Sequence, residues 1–303
     1  MYVVTVQEER KNSMTRAEIY DILYSHCEIY RPPIEEDSAF LEVTHGCSYR
    51  RCAFCDFCKD DFRVVPLKEV EYKSRLLQQV IGDKTSIHLL GCNPFCLSTD
   101  HLLQVLHFIR QNIPSITRVS MYARAEDVIK KSDTELRALV SAGLRDLHIG
   151  LESGCDEVLR MQKKGETVAQ MMAALEMLRR NRIQYHLTLI PGLGGRKYSW
   201  PHAVETAAVL SNLVPASVWC MALKIWPDSG LAHMVQTGLF EPLSYREILM
   251  EEREMLSRTA FQKPCLYVDS TVLGKYTVMG ILPTGKQTML KQMDFLLNKE
   301  PEV

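Results

Sequence analysis

The 303-residue sequence contains no uninterrupted apolar run of about 18 residues, so no membrane-spanning helix is expected. It has no low-complexity tract, no block of five like charges and no close internal repeat. Those absences argue against disordered tails, polyelectrolyte segments and solenoid arrays. Residues 1–14 are polar and charged apart from Tyr2, Val3 and Val4 near the start, unlike a secretory signal. Neither sign of charge is in excess: 36 Lys plus Arg face 37 Asp plus Glu, for a net charge of −1. No phosphate-neutralising surface is implied, and nucleic acid is not an expected partner. What the chain does have is ten cysteines. Without a secretory signal these point to a reducing cytoplasm, where clustered thiols bind metal or react more often than they pair. The composition is 46% hydrophobic, and a chain of this size buries roughly three quarters of its unfolded surface, so it needs no disulfide or metal merely to fold.

Short β-rich apolar segments recur at 40–43, 86–90, 117–122, 146–151, 185–190 and 217–223. Between them apolar residues stand three and four apart: Leu102, Leu103, Val105, Leu106 and Ile109; then Leu136, Leu139 and Val140; then Met171, Met172, Leu175 and Leu178. Ser132 with Glu135 has the form of a capping box, Gly143 stands where a helix would stop, and Thr167 where the next would start. Six strands alternating with helices predict parallel βαβ units, with the active site at the carboxyl ends of the strands. Residues 1–36 read as an N-terminal extension, 37–235 as the core, and 236–303 as an extension packing on it and closing part of its opening. Pro227 and Gly230 lie near that second boundary.

The chemistry-bearing segment directly follows the first strand: Thr44-His45-Gly46-Cys47-Ser48-Tyr49-Arg50-Arg51-Cys52-Ala53-Phe54-Cys55-Asp56-Phe57-Cys58. Cys52 and Cys55, two residues apart, form a tight chelating pair, and Cys47 reaches round from the strand end. Three thiolates on a four-iron cluster would leave one iron open to a ligand. A closed zinc knuckle of Cys47, Cys52, Cys55 and Cys58 competes with this reading, as do a ferredoxin-like frame on Cys52, Cys55 and Cys58 and simple buried thiols.

The run from Gly46-Cys47 to Phe54-Cys55 resembles the cluster loop of radical S-adenosylmethionine (radical-SAM) enzymes, including the aromatic residue before the last cysteine. That family usually has three residues between its first two cysteines. This chain has four, a spacing shared by a branch resembling the radical-SAM domain of the elongator acetyltransferase. The resemblance spans about residues 38–225 and, more weakly, Gly280-Ile281-Leu282-Pro283. It implies an α/β fold, an incomplete (β/α)6 TIM-like barrel with a short α-rich C-terminal extension. It also implies a [4Fe-4S] cluster on Cys47, Cys52 and Cys55.

SAM would be held by Phe54, Gly91, Asn93, Arg124, Glu152, Lys164 and Gly192, each at or near a strand end. Gly91 and Asn93 offer backbone and polar caps, although Asn93-Pro94 also reads as a plain turn. Arg124 would bind a carboxylate through its planar fork, or sit in a surface ion pair. Glu152 suits two ribose hydroxyls, Lys164 a carboxylate, and Gly192 the adenine edge. Cys58, Cys92 and Cys96 have no assigned role, and a substrate pocket is expected near Cys92, Arg124 and His186. The expected reaction is reductive SAM cleavage to a 5′-deoxyadenosyl radical that takes hydrogen from a small-molecule or peptide substrate. A one-electron donor such as flavodoxin or ferredoxin would supply the electron. The rival readings are a metal-stabilised binding or regulatory module without turnover, and the same radical chemistry applied to RNA.

Overall fold

Alternating apolar strands with both faces buried must be covered by helices, and the chain does this repeatedly. In a computed structural model, residues 14–24, 29–56, 60–270 and 277–299 are described. Helix α1 (Arg16–Leu23) and a 3₁₀ turn (Pro33–Glu35) precede β1 (Ala39–Glu42), β2 (Thr44–His45), β3 (Arg63–Val64) and α2 (Leu67–Gln78). There follow β4 (Ser86–Leu90), α3 (Thr99–Asn112), β5 (Arg118–Ala123), α4 (Ala125–Ile129), α5 (Asp133–Ala142), β6 (Leu144–Glu152), α6 (Asp156–Met161) and α7 (Val168–Arg180). The chain continues through β7 (Gln184–Leu189), α8 (Gly195–Ser211), β8 (Ser217–Cys220), α9 (Gly230–Gln236), α10 (Tyr245–Arg258), β9 (Cys265–Ser270), β10 (Thr277–Leu282) and α11 (Lys286–Lys299). No helix among the described residues is long and apolar enough to cross a membrane.

The six strands expected from the sequence pair in parallel as β1-β4-β5-β6-β7-β8, and the sheet then continues through β9 and β10. Strand β9 lies parallel to β8, and β10 runs antiparallel to β9. The C-terminal extension is thus not purely helical: it lengthens the sheet by two strands. Their local signal is short, and Tyr267 and Val278 are buried only because α10 and α11 cover them. Helix starts follow their capping chemistry, with reciprocal capping boxes at Ser132/Glu135, Thr167/Gln170 and Ser244/Glu247. Helix α8 carries Pro201 within it and buries the small or polar residues His202, Ala203, Thr206 and Ala207, so it shows little amphipathic pattern.

One face of β4–β8 carries polar residues, organised around Glu35. Its carboxylate accepts two bonds from Arg118 (2.9 and 2.8 Å), one from His148 Nε2 (2.8 Å) and one from Ser38 (2.5 Å). Arg118 also donates to Asp146 at 2.7 Å, and Asp146 pairs with His186 Nε2 at 3.0 Å. His186 Nδ1 reaches Ser217 at 2.8 Å. Burial alone would raise the Glu35 pKa, but His148 and Arg118 outweigh it and hold the carboxyl well below its usual range. Glu35 is fully buried, so the turn before β1 is part of the sheet's polar face. Replacing Glu35 with Ala strands Arg118 and His148. It should cost about 3–5 kcal/mol of stability in urea denaturation; a loss below about 1 kcal/mol would show the network to be dispensable.

A second buried group lies under α10. Burial pushes Glu251 and Asp269 each up to about 7. Burial and the nearby Asp269 raise Glu252 well above its ordinary value. Raised carboxyl pKa values mean that the folded state holds protons the unfolded chain releases. Their stabilisation is complete below the ordinary carboxyl range and is lost as pH rises through about 7. The melting temperature should therefore be lower at pH 8 than at pH 6, and Glu252→Gln should narrow that difference. A melting temperature that does not change between these values would contradict the assignment.

Candidate active site

The cysteine loop leaves the sheet through Gly46, whose φ is +66°. A Cβ there would lie 2.5 Å from the Asp60 carbonyl oxygen, so only glycine lets the two ends of the loop pass. Arg50 pairs with Asp61 across the same gap. Cys47 and Cys52 are half-buried and Cys55 is exposed. The loop is held from three sides. Ala53 N donates to Gln162 O (2.8 Å), Ala53 O accepts from Leu231 N (2.8 Å), and Gln162 Nε2 donates to Leu193 O (3.0 Å). Phe54 packs against Cys155, Val158, Ile190 and Leu193, which fixes the loop over the ends of β6 and β7.

The donor set suits an iron–sulfur cluster. Among the described residues, two trios of His, Cys, Asp or Glu bring their ligand atoms within 4.8 Å of one another, Glu35–His88–His148 and Cys155–Glu157–Glu205. Three thiols on one short loop are the donor type that an iron–sulfur cluster takes. Both Glu35 oxygens already accept two donors, which closes that trio on itself. Burial raises the Cys52 thiol, while the nearby Lys164 and Arg124 oppose it and favour the thiolate a metal needs. Cys58 lies outside the described residues. Cys96 is half-buried, with its thiol pushed up to about 11 by burial and opposed by a contact with Ser48.

Above Cys52 stands a buried ionic cluster. Lys164 Nζ lies 3.0 Å from Glu152 Oε1 and 4.0 Å from Glu166 Oε2. Arg124 Nη2 lies 3.6 Å from Glu166 Oε2 and donates to Lys164 O at 3.1 Å. The Arg124 guanidinium also covers the Tyr49 ring at 3.9 Å. Burial works against the Lys164 charge, but Glu152, Glu166 and Cys52 prevail and raise its pKa. The β6 backbone makes room for the pair. A Cβ at Gly150 would fall 2.0 Å from Glu152 Oε1 and 2.9 Å from Lys164 Nζ. The β6–β7 register shifts between Gly150 and Glu152, and Glu152 adopts φ +60°, which turns its side chain back over the strand end. Glu152 Oε2, Glu166 Oε2 and Arg124 Nε are buried without a hydrogen-bond partner. Buried polar atoms left without a hydrogen bond are uncommon in folded proteins and are open to a water, an ion or a ligand.

The sequence-derived residues fall into two sets. Arg124, Glu152 and Lys164 converge beside Cys52, whereas Phe54 and Gly192 lie on the β7 side. Gly192 has φ +89°, donates its N–H to Glu251 Oε1 at 2.6 Å and packs against Ile248. Asn93 is spent within the protein: Nδ2 donates to Ser48 (2.8 Å) and Asp127 (2.7 Å), and Oδ1 accepts from Arg124 N (3.2 Å). Gly91, at φ +131°, lets β4 press on Thr44, where a Cβ would come within 1.9 Å of the hydroxyl oxygen. Both residues therefore pin the loop. His186 has both ring nitrogens bonded in the Glu35 network, and the Cys92 N–H caps Gly46 O at 3.4 Å. Glu166 and Tyr49 join this ionic cluster but were not singled out from the sequence. Their only local signals were an acid two residues beyond Lys164 and an aromatic inside the cysteine loop.

Residues 41–207 match the family model described as the Radical SAM superfamily. The chain is 26% identical over 190 residues to a tRNA-2-methylthio-N(6)-dimethylallyladenosine synthase of Idiomarina loihiensis, covering 56% of this chain and 37% of that protein. It thus spans little more than a third of that relative's length. Coproporphyrinogen III oxidase of Escherichia coli shares the fold with a TM-score of 0.56 at 15% identity, covering 81% of this chain and 56% of that one. Methylornithine synthase gives a TM-score of 0.53 at 12% identity, covering 81% and 74%. The expectation that nucleic acid is not a partner rested on net charge alone, and relatives named as tRNA-modifying enzymes give it no support. With the match running from β1 into α8 and taking in the whole cysteine loop, the chain belongs to the radical SAM superfamily, whose members use a [4Fe-4S] cluster and SAM.

Proposed function

We propose that this chain is a radical-SAM enzyme in which Cys47, Cys52 and Cys55 hold the cluster and the Glu152–Lys164–Arg124 group holds SAM. When bound, the cluster supplies the electron that splits SAM into methionine and a 5′-deoxyadenosyl radical. The chain's own residues bind, orient and exclude water. Glu152 Oε2 accepts from the ribose hydroxyls, while Lys164 and the free Arg124 Nε face the methionine carboxylate. Phe54 and Gly192 border the adenine. Asn93 and Gly91 act one step back, by fixing the loop against β4 and β5. The observation that carries this reading is the buried Glu152–Lys164 pair beside Cys52, one of whose carboxylate oxygens lacks a partner.

Exposed Cys55 marks the edge through which an electron from a flavodoxin or ferredoxin would enter. The hydrogen donor is a small molecule or peptide reached through the carboxyl ends of the strands, with residues 236–303 narrowing the approach. A second reading, an RNA nucleotide as substrate, is favoured by the similarity to the tRNA-modifying synthase. Steep salt dependence of tRNA binding would support it, and no binding at low salt would exclude it.

Anaerobically reconstituted protein should hold about four irons per chain, as one [4Fe-4S] cluster requires. Cys47→Ala, Cys52→Ala and Cys55→Ala should each lose them, while Cys58→Ala keeps them. Iron analysis showing the reverse for Cys47 and Cys58 would favour the ferredoxin-like frame, and zinc without iron the knuckle. Glu152→Ala should leave iron unchanged and weaken SAM binding at least about tenfold by equilibrium dialysis, the effect of losing one or two bonds to a charged acceptor. Unchanged affinity would remove Glu152 from the SAM site.

A further inference from the structure

The cysteine loop departs from the usual pattern of its superfamily in length: four residues, Ser48-Tyr49-Arg50-Arg51, stand between Cys47 and Cys52. Tyr49 starts from the cysteine frame, where its N–H donates to Cys47 Sγ at 3.5 Å. Before it, Ser48 Oγ accepts from Asn93 Nδ2 at 2.8 Å and ties the spacer to the end of β4. After it the chain turns sharply, with Arg50 at φ +53°. The Tyr49 side chain leaves the loop and crosses to the turn after α6, where its hydroxyl donates to Lys163 O at 3.0 Å. The phenol lies flush on Gly165: a Cβ there would fall 2.1 Å from Tyr49 Oη and 2.5 Å from Cζ. Gly165 stands between Lys164 and Glu166, and its missing side chain is what admits the ring.

A face of the same ring carries the Arg124 guanidinium, 3.9 Å from the ring centroid. At that distance the positive charge sits on the negative face of the ring, and the contact is strongest where both partners are desolvated. Arg124 is buried. Its Nη2 donates to Lys164 O at 3.1 Å and lies 3.6 Å from Glu166 Oε2, which is beyond a hydrogen bond. One hydrogen bond fixes a point of the guanidinium fork, and the stacked ring fixes its plane. The Arg124 backbone N–H is held by Asn93 Oδ1 at 3.2 Å. A long side chain is thereby set in one orientation, with Nε making no hydrogen bond.

We infer that Tyr49 is a positioning residue that holds the Arg124 fork in the plane where Nε meets the methionine carboxylate of SAM. This rests on the assignment of Arg124 to SAM. The four-residue spacer gives the loop its reach to the Lys163–Gly165 turn, so the anion-binding guanidinium is placed by the same loop that Cys47 and Cys52 bound. Tyr49 acts through Arg124. The carboxylate keeps its charge while the sulfonium is cleaved, so the contribution of Tyr49 is equal before and after bond breaking. It therefore falls on SAM affinity and leaves iron content and turnover at saturation unchanged.

The test uses reconstituted full-length enzyme, with SAM binding measured by equilibrium dialysis and 5′-deoxyadenosine release followed under dithionite. Tyr49→Leu should weaken SAM binding about tenfold, with iron content and the rate at saturating SAM within about twofold. Tyr49→Phe keeps the stacked ring, loses only the bond to Lys163 O, and should stay within about threefold of the parent. Phenylalanines with one, two and three ring fluorines at position 49 drain the negative face of the ring with little change of shape. Affinity should fall stepwise along that series. A flat series, as packing alone would give, overturns the inference. In an Arg124→Gln background Tyr49→Leu should bring no further loss, and a full additional loss also overturns it. If Tyr49→Leu fails to hold iron, the fluorinated series decides alone. If Arg124→Gln by itself binds SAM normally, the assignment of the SAM site has failed. If Arg124→Gln loses affinity and Tyr49→Leu does not, the site stands and the role of Tyr49 does not.

Discussion

Everything at the open end of this sheet depends on burying two cations and two carboxylates beside the Cys52 thiol. Lys164 and Arg124 cannot be desolvated without Glu152 and Glu166, and those acids cannot be buried without the cations. The arrangement is also incomplete, because Glu152 Oε2, Glu166 Oε2 and Arg124 Nε make no hydrogen bond. A fully satisfied lattice would be a structural plug. On the SAM-binding reading proposed above, an incomplete one next to Cys52 would keep its charges preorganised, so a zwitterionic ligand would meet donors and acceptors already desolvated. The left-handed turn at Glu152 and the missing Cβ at Gly150 are the backbone's contribution to that state.

The Glu35 network presents the contrasting case. There every carboxylate oxygen of Glu35 has two donors, and His186 is bonded through both nitrogens. Polar residues facing one side of β4–β8 suggest a reaction chamber when read along the sequence, yet most of them bond to one another. His88 Nε2 and Trp219 Nε1 are exceptions on that face. The same side-chain chemistry thus does two jobs. Where bonding closes, it ties the turn before β1 to the sheet, and where it stays open, it leaves charged atoms beside Cys52 without a hydrogen bond.

Much of the site was legible because the superfamily's chemistry is compressed into short covalent spacings. Three thiols on one loop, a glycine to turn it and an acid ending an apolar strand are all local facts. The two asparagine-side candidates show the limit. Asn93 has the right residue type in the right place, but Ser48, Asp127 and Arg124 consume its amide, and those partners lie 45, 34 and 31 residues away. A polar residue at a strand end is free for ligand only if no other loop reaches it, and residue spacing carries no information about that.

By itself the sequence determined the alternation of six strands with helices, the cap signals of α5 and α7, and the spacing of the clustered cysteines, because hydrophobic period, cap chemistry and chelate spacing act within about a dozen residues. Only the tertiary structure decided that β9 and β10 extend the sheet and that Glu35 pairs with His148 across 113 residues. It alone set His202 opposite Glu251 and buried Glu252 beside Asp269. Those outcomes depend on which elements meet after the chain has folded back on itself. Neither β-propensity in a six-residue segment nor the charge of one glutamate encodes the neighbours that will bury it.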